Sequence, residues 1–259
     1  MDYYWVVDEF DARTLGNEAV YEFPSLAPEL LLCLEGEIII DYKGRRHSIV
    51  ESTLFSHIDE GFVVYPHRIR RMIVVKFKNR GMSAIMPFVG YNASELIARP
   101  FALAVDVFGR RLEVFERHLR TLPDDQIAPE LDNWLMKTFN RQASGIVYDL
   151  SDHLTPSMSV SEVIALTRTS YSTVERHFRN DTGLSPKQYL MRNRARHAVR
   201  DIFATAHTGR QNDWFDLVTT YAYHDQSHFI KEIKRFTGFT PAQLVSLPWF
   251  SRYRPQIEP

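Results

Sequence analysis

A single cysteine, Cys33, occurs among the 259 residues, which excludes an internal disulfide and every Cys-x-x-Cys metal or redox motif. Its position in the apolar run Glu29-Leu-Leu-Leu-Cys-Leu34 is that of a small buried core residue. No apolar run approaches the ~20 residues that cross a bilayer; the longest are strand-sized, this one and Glu37-Ile-Ile-Ile-Asp41. The opening Met1-Asp-Tyr-Tyr-Trp5 has neither the basic nor the apolar region of a secretory signal, so a cytoplasmic location with no membrane partner is expected. Glycine is equally informative: no two of the 11 glycines are one residue apart, which excludes Gly-x-Gly-x-x-Gly, and neither Gly-x-Ser-x-Gly nor Gly-Lys-Ser/Thr occurs. His-Glu-x-x-His is also missing. His47, His57 and His67 recur every ten residues in a strand-rich stretch, where hairpin neighbours could gather imidazoles around a metal. Each lies among turn residues or charges without an acidic partner at a characteristic spacing, so no metal, no cofactor and no catalytic residue is expected, and the protein reads as a non-enzyme.

What is present describes a globular chain, with 44% hydrophobic and 24% charged residues, long enough for two domains. The net charge of −1 hides a polarity, because residues 1–150 carry 17 Lys/Arg against 22 Asp/Glu, whereas the remainder carries 14 against 10. The C-terminal part is thus the candidate for a polyanionic partner.

Residues 1–90 read as short strands rich in β-branched and aromatic side chains (Tyr3 to Val7, Leu30 to Leu34, Ile38 to Tyr42, Phe62 to Tyr65, Met72 to Phe77), parted by turn signals such as Glu35-Gly36, Lys43-Gly44 and Glu60-Gly61. A small antiparallel barrel or sandwich follows. After Pro87 the period becomes helical over Ala93 to Ala98, Arg110 to Leu119 and Glu130 to Phe139. Pro123-Asp-Asp-Gln126 is the most loop-like break, placing a domain boundary between 123 and 145.

Beyond 143 the pattern is all helical and duplicated. Thr182-Gly-Leu-Ser-Pro-Lys-Gln188 recurs 55 residues later as Thr237-Gly-Phe-Thr-Pro-Ala-Gln243, and the same offset pairs Ser172 with Ser227, Val174 with Phe229, Arg176 with Lys231, Phe178 with Ile233 and Arg179 with Lys234. Each copy has the form helix, tight turn, helix. Ser159-Val-Ser-Glu162 is a capping box opening a helix to about Thr167, and Ser170 caps a second helix ending before Gly183. In the second copy Asp213 starts the first helix, and Asp225 caps the next, which ends before Gly238. One long helix, Pro186 to about Ala206, joins them and carries Arg192, Arg194, Arg196 and Arg200. A duplicated helix–turn–helix in a net-positive region is a specific sign of DNA binding.

Here the sequence resembles the AraC/XylS family of bacterial transcription regulators, in which two helix–turn–helix units joined by a long helix are each closed by a Gly-x-Ser/Thr-Pro element. The resemblance covers about residues 145–247 and is carried most specifically by Tyr223-His-Asp-Gln-Ser-His-Phe229 and Lys234-Arg-Phe-Thr-Gly-Phe-Thr-Pro241, with Arg194 and Ala198 matching the linker helix. Arg168 and Ala222 stand where a turn glycine is usual, and Val218 where alanine is usual. Residues 1–120 resemble, more weakly, a β-rich domain preceding this module in some members, through Tyr4-Trp5, Lys76-Phe-Lys and Phe88-Val-Gly-Tyr-Asn-Ala-Ser-Glu-Leu96. The resemblance implies an α+β fold. It comprises an N-terminal β-barrel or sandwich with helices (1–122, effector or dimerisation), a partly helical linker region (123–145) and an all-α DNA-binding domain (146–259). Within the last, the units are 159–183 and 213–238 and the linker helix is 186–206. It also implies double-stranded DNA and RNA polymerase as partners, with a small-molecule effector and a homodimer as candidates.

The helix geometry carries the same reading. Val174 and Phe178 pack inward, turning Ser172, Thr173, Glu175, Arg176 and Arg179 outward. Phe229, Ile233 and Phe236 leave Gln226, Ser227, Ile230, Lys231 and Lys234 outside. Arg suits guanine, Gln adenine, Glu cytosine N4–H and an apolar Ile230 a thymine methyl, so helices 171–181 and 226–236 are expected to read two successive major grooves. The base-contact candidates are Ser172, Thr173, Glu175, Arg176, Gln226, Ser227, Ile230 and Lys231; the phosphate candidates are Arg179, Arg192, Lys234 and Thr240. Arg194 is either a phosphate contact or a brace paired with Asp201 or Asp216. A linker of about 20 helical residues spans about 30 Å, close to the ~34 Å between major-groove faces. Leu112, Phe115, Leu119, Leu131 and Leu135 could line a two-fold interface or simply cover the barrel. Two competing classes, a cupin-like metal enzyme fused to a DNA-binding module and an alkyl-transfer repair protein, need convergent His/carboxylate ligands and reactive cysteines respectively.

Overall fold

In the computed structural model, residues 6–9, 19–56, 58–65, 69–77, 84–88, 95–96, 98–139, 146–150, 153–207 and 214–247 are described. Among these residues nine strands form two antiparallel sheets: β1 (Val6–Glu9), β2 (Val20–Glu22), β3 (Glu29–Glu35), β4 (Ile38–Tyr42), β5 (Arg45–Ile49), β6 (Thr53–Phe55), β7 (Phe62–Tyr65), β8 (Arg71–Lys76) and β9 (Phe101–Leu103). One sheet has the order β1-β8-β3-β6-β9 and the other β2-β7-β4-β5. The expected strands are present, although Tyr3 to Trp5 lie outside the described residues. The strands the sequence did not announce are β2, β6 and β9, each three residues long, and β5, Arg45-Arg-His-Ser-Ile49, which is too polar to read as a strand. Pairing with β4 across the Lys43-Gly44 turn makes β5 a strand, and both turn residues take positive φ, 52° and 71°, the geometry a tight two-residue hairpin requires.

The central strands β3 and β8 are buried nearly end to end because their sheet is covered on both sides. Between the sheets lie Leu31, Cys33, Ile38, Ile40, Tyr42, Phe55, Phe62 and Met72. On the other face Leu30, Leu32, Leu34, Ile73 and Val75 meet α1 (Ala104–Phe108), α2 (Arg110–Thr121) and α3 (Asp124–Thr138). The five apolar residues considered for a two-fold interface, Leu112, Phe115, Leu119, Leu131 and Leu135, are all in this core, so they cover the sandwich and are not free to pair with a second copy.

Pro123-Asp-Asp-Gln126, expected to be a break, is instead the start of α3. Pro123 is the N-cap, and Asp124 and Asp125 occupy the first turn, where carboxylates favour the helix dipole. Through Thr138 the stretch assigned to a linker is therefore a helix whose Ile127, Leu131 and Leu135 belong to the N-terminal core. The helix expected over 93–98 lies mostly outside the described residues.

From Ile146 the chain is helical: α4 (Ile146–Leu150), α5 (Val160–Thr167), α6 (Tyr171–Thr182), α7 (Pro186–His207), α8 (Trp214–Thr220), α9 (Gln226–Thr237) and α10 (Pro241–Ser246). Two separate cores result. The first unit is built on Val147, Leu150, Val163, Val174, Phe178, Tyr189 and Leu190; the second on Ala195, Ala198, Val199, Ile202, Phe203, Tyr221, Phe229, Ile233, Phe236 and Leu244. Helix α7 contributes its N-terminal end to one and its remainder to the other.

Candidate nucleic-acid interface

The caps explain why the duplicated segment recurs. Ser159 and Glu162 close a capping box on α5, and the side chains of Ser170 and Asp225 accept from the backbone N–H of Thr173 and His228 to start α6 and α9. Asp213, expected to start the first helix of the second unit, lies outside the described residues. Both α6 and α9 end on a left-handed glycine, Gly183 (φ 70°) and Gly238 (φ 80°). The threonine before each glycine folds back, Thr182 Oγ1 donating to Phe178 O (2.6 Å) and Thr237 Oγ1 to Ile233 O (2.8 Å). The Ser/Thr-Pro-x-Gln that follows is a second capping box. The Gln188 side chain accepts from Ser185 N (2.9 Å) at α7, and the Gln243 side chain from Thr240 N (2.9 Å) at α10.

These boundaries turn equivalent faces of α6 and α9 outward. Ser172, Arg176 and Arg179 are exposed on α6, as are Gln226, Ser227, Lys231 and Lys234 on α9, while Val174, Phe178, Phe229, Ile233 and Phe236 are buried beneath them. Thr173 and Glu175 are half-buried. Glu175 pairs with Arg179 one turn on, at 3.0 Å, and the Ser172 and Thr173 hydroxyls lie 2.9 and 3.0 Å from Ser170 Oγ. Ile230 departs from its expected exposure: it is half-buried against the core of the second unit, which already supplies an apolar contact. Thr240, a phosphate candidate, has its hydroxyl engaged in the cap of α10.

The linker arginines divide. Arg192 is half-buried in the seam between the halves, where it lines a cavity of about 60 Å³ with Asp59, Met191, Glu232, Arg235 and Phe236. Burial lowers its pKa and the nearby Asp59 raises it. Asp59 is itself held by the Tyr42 hydroxyl and by Lys43 Nζ at 2.8 Å. Arg192 therefore faces the N-terminal half in this arrangement, a placement that no feature of the α7 sequence announces. Arg194 is a brace, with partners other than those expected: its Nε donates to Pro156 O (3.3 Å), and its guanidinium lies 5.4 Å from the centre of the Tyr223 ring. Asp201 is taken by Arg200 (3.3 Å) and the Tyr221 hydroxyl (2.5 Å).

Among the described residues no group of His, Cys, Asp and Glu could hold a metal. His47 packs its ring against Phe101, and His57 and His67 lie outside those residues. No described helix is long and apolar enough to cross a membrane.

Two capped, equivalently exposed helices on one long connecting helix define a double helix–turn–helix module. A family model for a helix–turn–helix domain matches residues 163–246; this region is a helix–turn–helix domain of the AraC type, and the protein is a DNA-binding transcription regulator. That match does not favour the metal-enzyme alternative. No curated protein matches the sequence significantly. Among solved structures the chain is similar to ToxT from Vibrio cholerae. An apo variant from strain SCE256 is 8% identical, with 95% of this chain and 97% of that chain covered and a TM-score of 0.47. The protein from strain O395 is 9% identical, with 94% and 97% covered, at 0.47. A form of ToxT bound to an unsaturated fatty acid is 10% identical, with 94% of each chain covered, at 0.42.

Proposed function

We propose that α6 and α9 enter successive major grooves on one side of duplex DNA, with α7 setting their separation. The observation that supports this reading is the equivalence of the two exposed faces: Ser172 with Ser227, Arg176 with Lys231 and Arg179 with Lys234 occupy matching, solvent-facing positions on helices capped in the same way. Arg176 and Gln226 are the base readers, since a guanidinium can grip guanine and a carboxamide adenine through paired hydrogen bonds. Ser172, Ser227 and Lys231 flank them, and Thr173 and Glu175 contribute once the local pairs with Ser170 and Arg179 open. Arg179 and Lys234 neutralise phosphates.

Mobility-shift titration of the full-length protein tests this. Affinity should fall steeply with salt as phosphate contacts release counterions. On single-base variants of a selected site, Arg176→Ala should abolish discrimination at one position at a cost of ~1–3 kcal/mol, whereas Lys234→Ala should weaken all variants alike. Uniform weakening by Arg176→Ala would make it a phosphate contact.

A further inference from the structure

The two helix–turn–helix cores are separate, and one segment of the N-terminal half enters both. Phe23, just after β2, packs against the core of the second unit, with its ring edge-on to Phe203 at 5.3 Å between centroids. Tyr21 donates its hydroxyl to the carbonyl of Thr237, the last residue of α9, at 2.5 Å, and sets its ring edge-on to Phe239 at 5.3 Å. Burial pushes the Tyr21 hydroxyl up to about 12, so it is a proton donor at neutral pH. Three residues beyond Phe23, Leu26 is 5% exposed within the core of the first unit.

We propose that this segment, residues 21–26, fixes the spacing at which α6 and α9 read DNA, with Tyr21, Phe23 and Leu26 as positioning residues; the inference rests on the two-groove reading above. Helix α7, with Arg194 braced at its middle, is one tie between the units, but a long helix curves and a single rod leaves the units free to swing about it. The segment is a second tie off that axis. Three residues from Phe23 to Leu26 reach at most ~10 Å, and buried Pro24 locks one backbone angle between them. Its ends are anchored in the sandwich, by the pairing of Tyr21 with Val63 and Glu22 with Phe62 on one side and by the start of β3 at Glu29 on the other. Two ties and the sandwich triangulate the units. The tie grips α9 through the carbonyl at its C-terminal end, away from the N-terminal turns that carry Gln226 and Ser227.

Gly61 provides a way to loosen the tie without altering the DNA-binding part. A Cβ at Gly61 would lie 1.9 Å from Tyr21 Oη and 2.3 Å from Cζ, so Gly61→Ala must displace that ring. The test is selection of bound DNA from a random-sequence pool with the full-length protein, Gly61→Ala and Phe23→Ala, each checked for folding by circular dichroism, with Tyr21→Phe as the mildest variant. The readout is the distribution of separations between the two enriched sequence elements. The wild type should return one separation. In the variants, separations one base pair longer or shorter should rise by roughly two- to tenfold, the size of one edge-to-face aromatic contact, while the elements themselves stay the same. Folded variants that return the same single separation would overturn the proposal, leaving α7 as the sole spacer. A wild type that enriches only one element would overturn the two-groove reading itself, and this inference with it.

Discussion

At Arg168 and Ala222 the chain adopts a left-handed backbone, with φ of 52° and 50°, although neither residue is glycine. These are the two positions where the family resemblance leads one to expect a turn glycine, so the turn geometry survives the substitution and the cost is local strain of ~1–2 kcal/mol each. The two turns are not identical: Arg168 precedes its N-cap, Ser170, by two residues and Ala222 precedes Asp225 by three. Ala222 is exposed, and its methyl is dispensable. Ala222→Gly should raise stability by about 0.5–1 kcal/mol, the relief of strain less the backbone entropy of glycine. By thermal unfolding this appears as a rise of about 1–4 °C in Tm. A lower Tm would mean that the methyl contributes packing worth more than the strain. The same scale shows the limit of reading side chains one at a time. Arg192 and Arg194 look alike in sequence, yet one faces Asp59 across the seam and the other crosses between the units.

Helix α7 is the element on which both units depend, and its middle carries a half-buried base. His197 is pushed down from 6.5 to about 4, first by burial and then by the charges of Arg196 and Arg200, against which Asp201 acts weakly. Its folded-state pKa is depressed, so between about pH 6.5 and 4 the unfolded chain holds a proton that the folded chain refuses, and stability falls as pH drops through that window. Denaturant midpoints measured across the window should decline faster for the wild type than for His197→Gln, whose side chain does not titrate. Parallel pH profiles would show that His197 is hydrated enough to titrate normally in the folded state. Boundaries of α5, α6, α7 and α9 were legible because capping is a local hydrogen-bond requirement written into residues three apart. Those of α3 were not: Pro123-Asp-Asp-Gln126 has the composition of a loop and also of a first helical turn, and only the burial of Ile127 against the sandwich decides between them.

For the molecule as a whole, the stripe on α2 and α3 that had the spacing of a subunit interface is consumed in covering the sandwich. Leu119 is 0% exposed there, so Leu119→Ala should cost ~2–5 kcal/mol of stability through the cavity it leaves, with the light-scattering mass of the folded protein unchanged. A change of mass without loss of stability would return these helices to an interface role.

The duplicated helix–turn–helix, its caps and its outward-facing Arg176, Gln226 and Lys231 were determined by the sequence alone, because they follow from short-range patterns: a 3.6-residue apolar period, a cap three residues upstream and a glycine at each end. The long-range arrangements were decided by tertiary structure. The polar strand β5 exists because β4 pairs with it, Ile230 is half-buried because the second core reaches it, and the segment that follows β2 enters both DNA-binding cores through Phe23 and Leu26. Each of these depends on residues brought together from distant parts of the chain, and no local periodicity encodes which surfaces will meet.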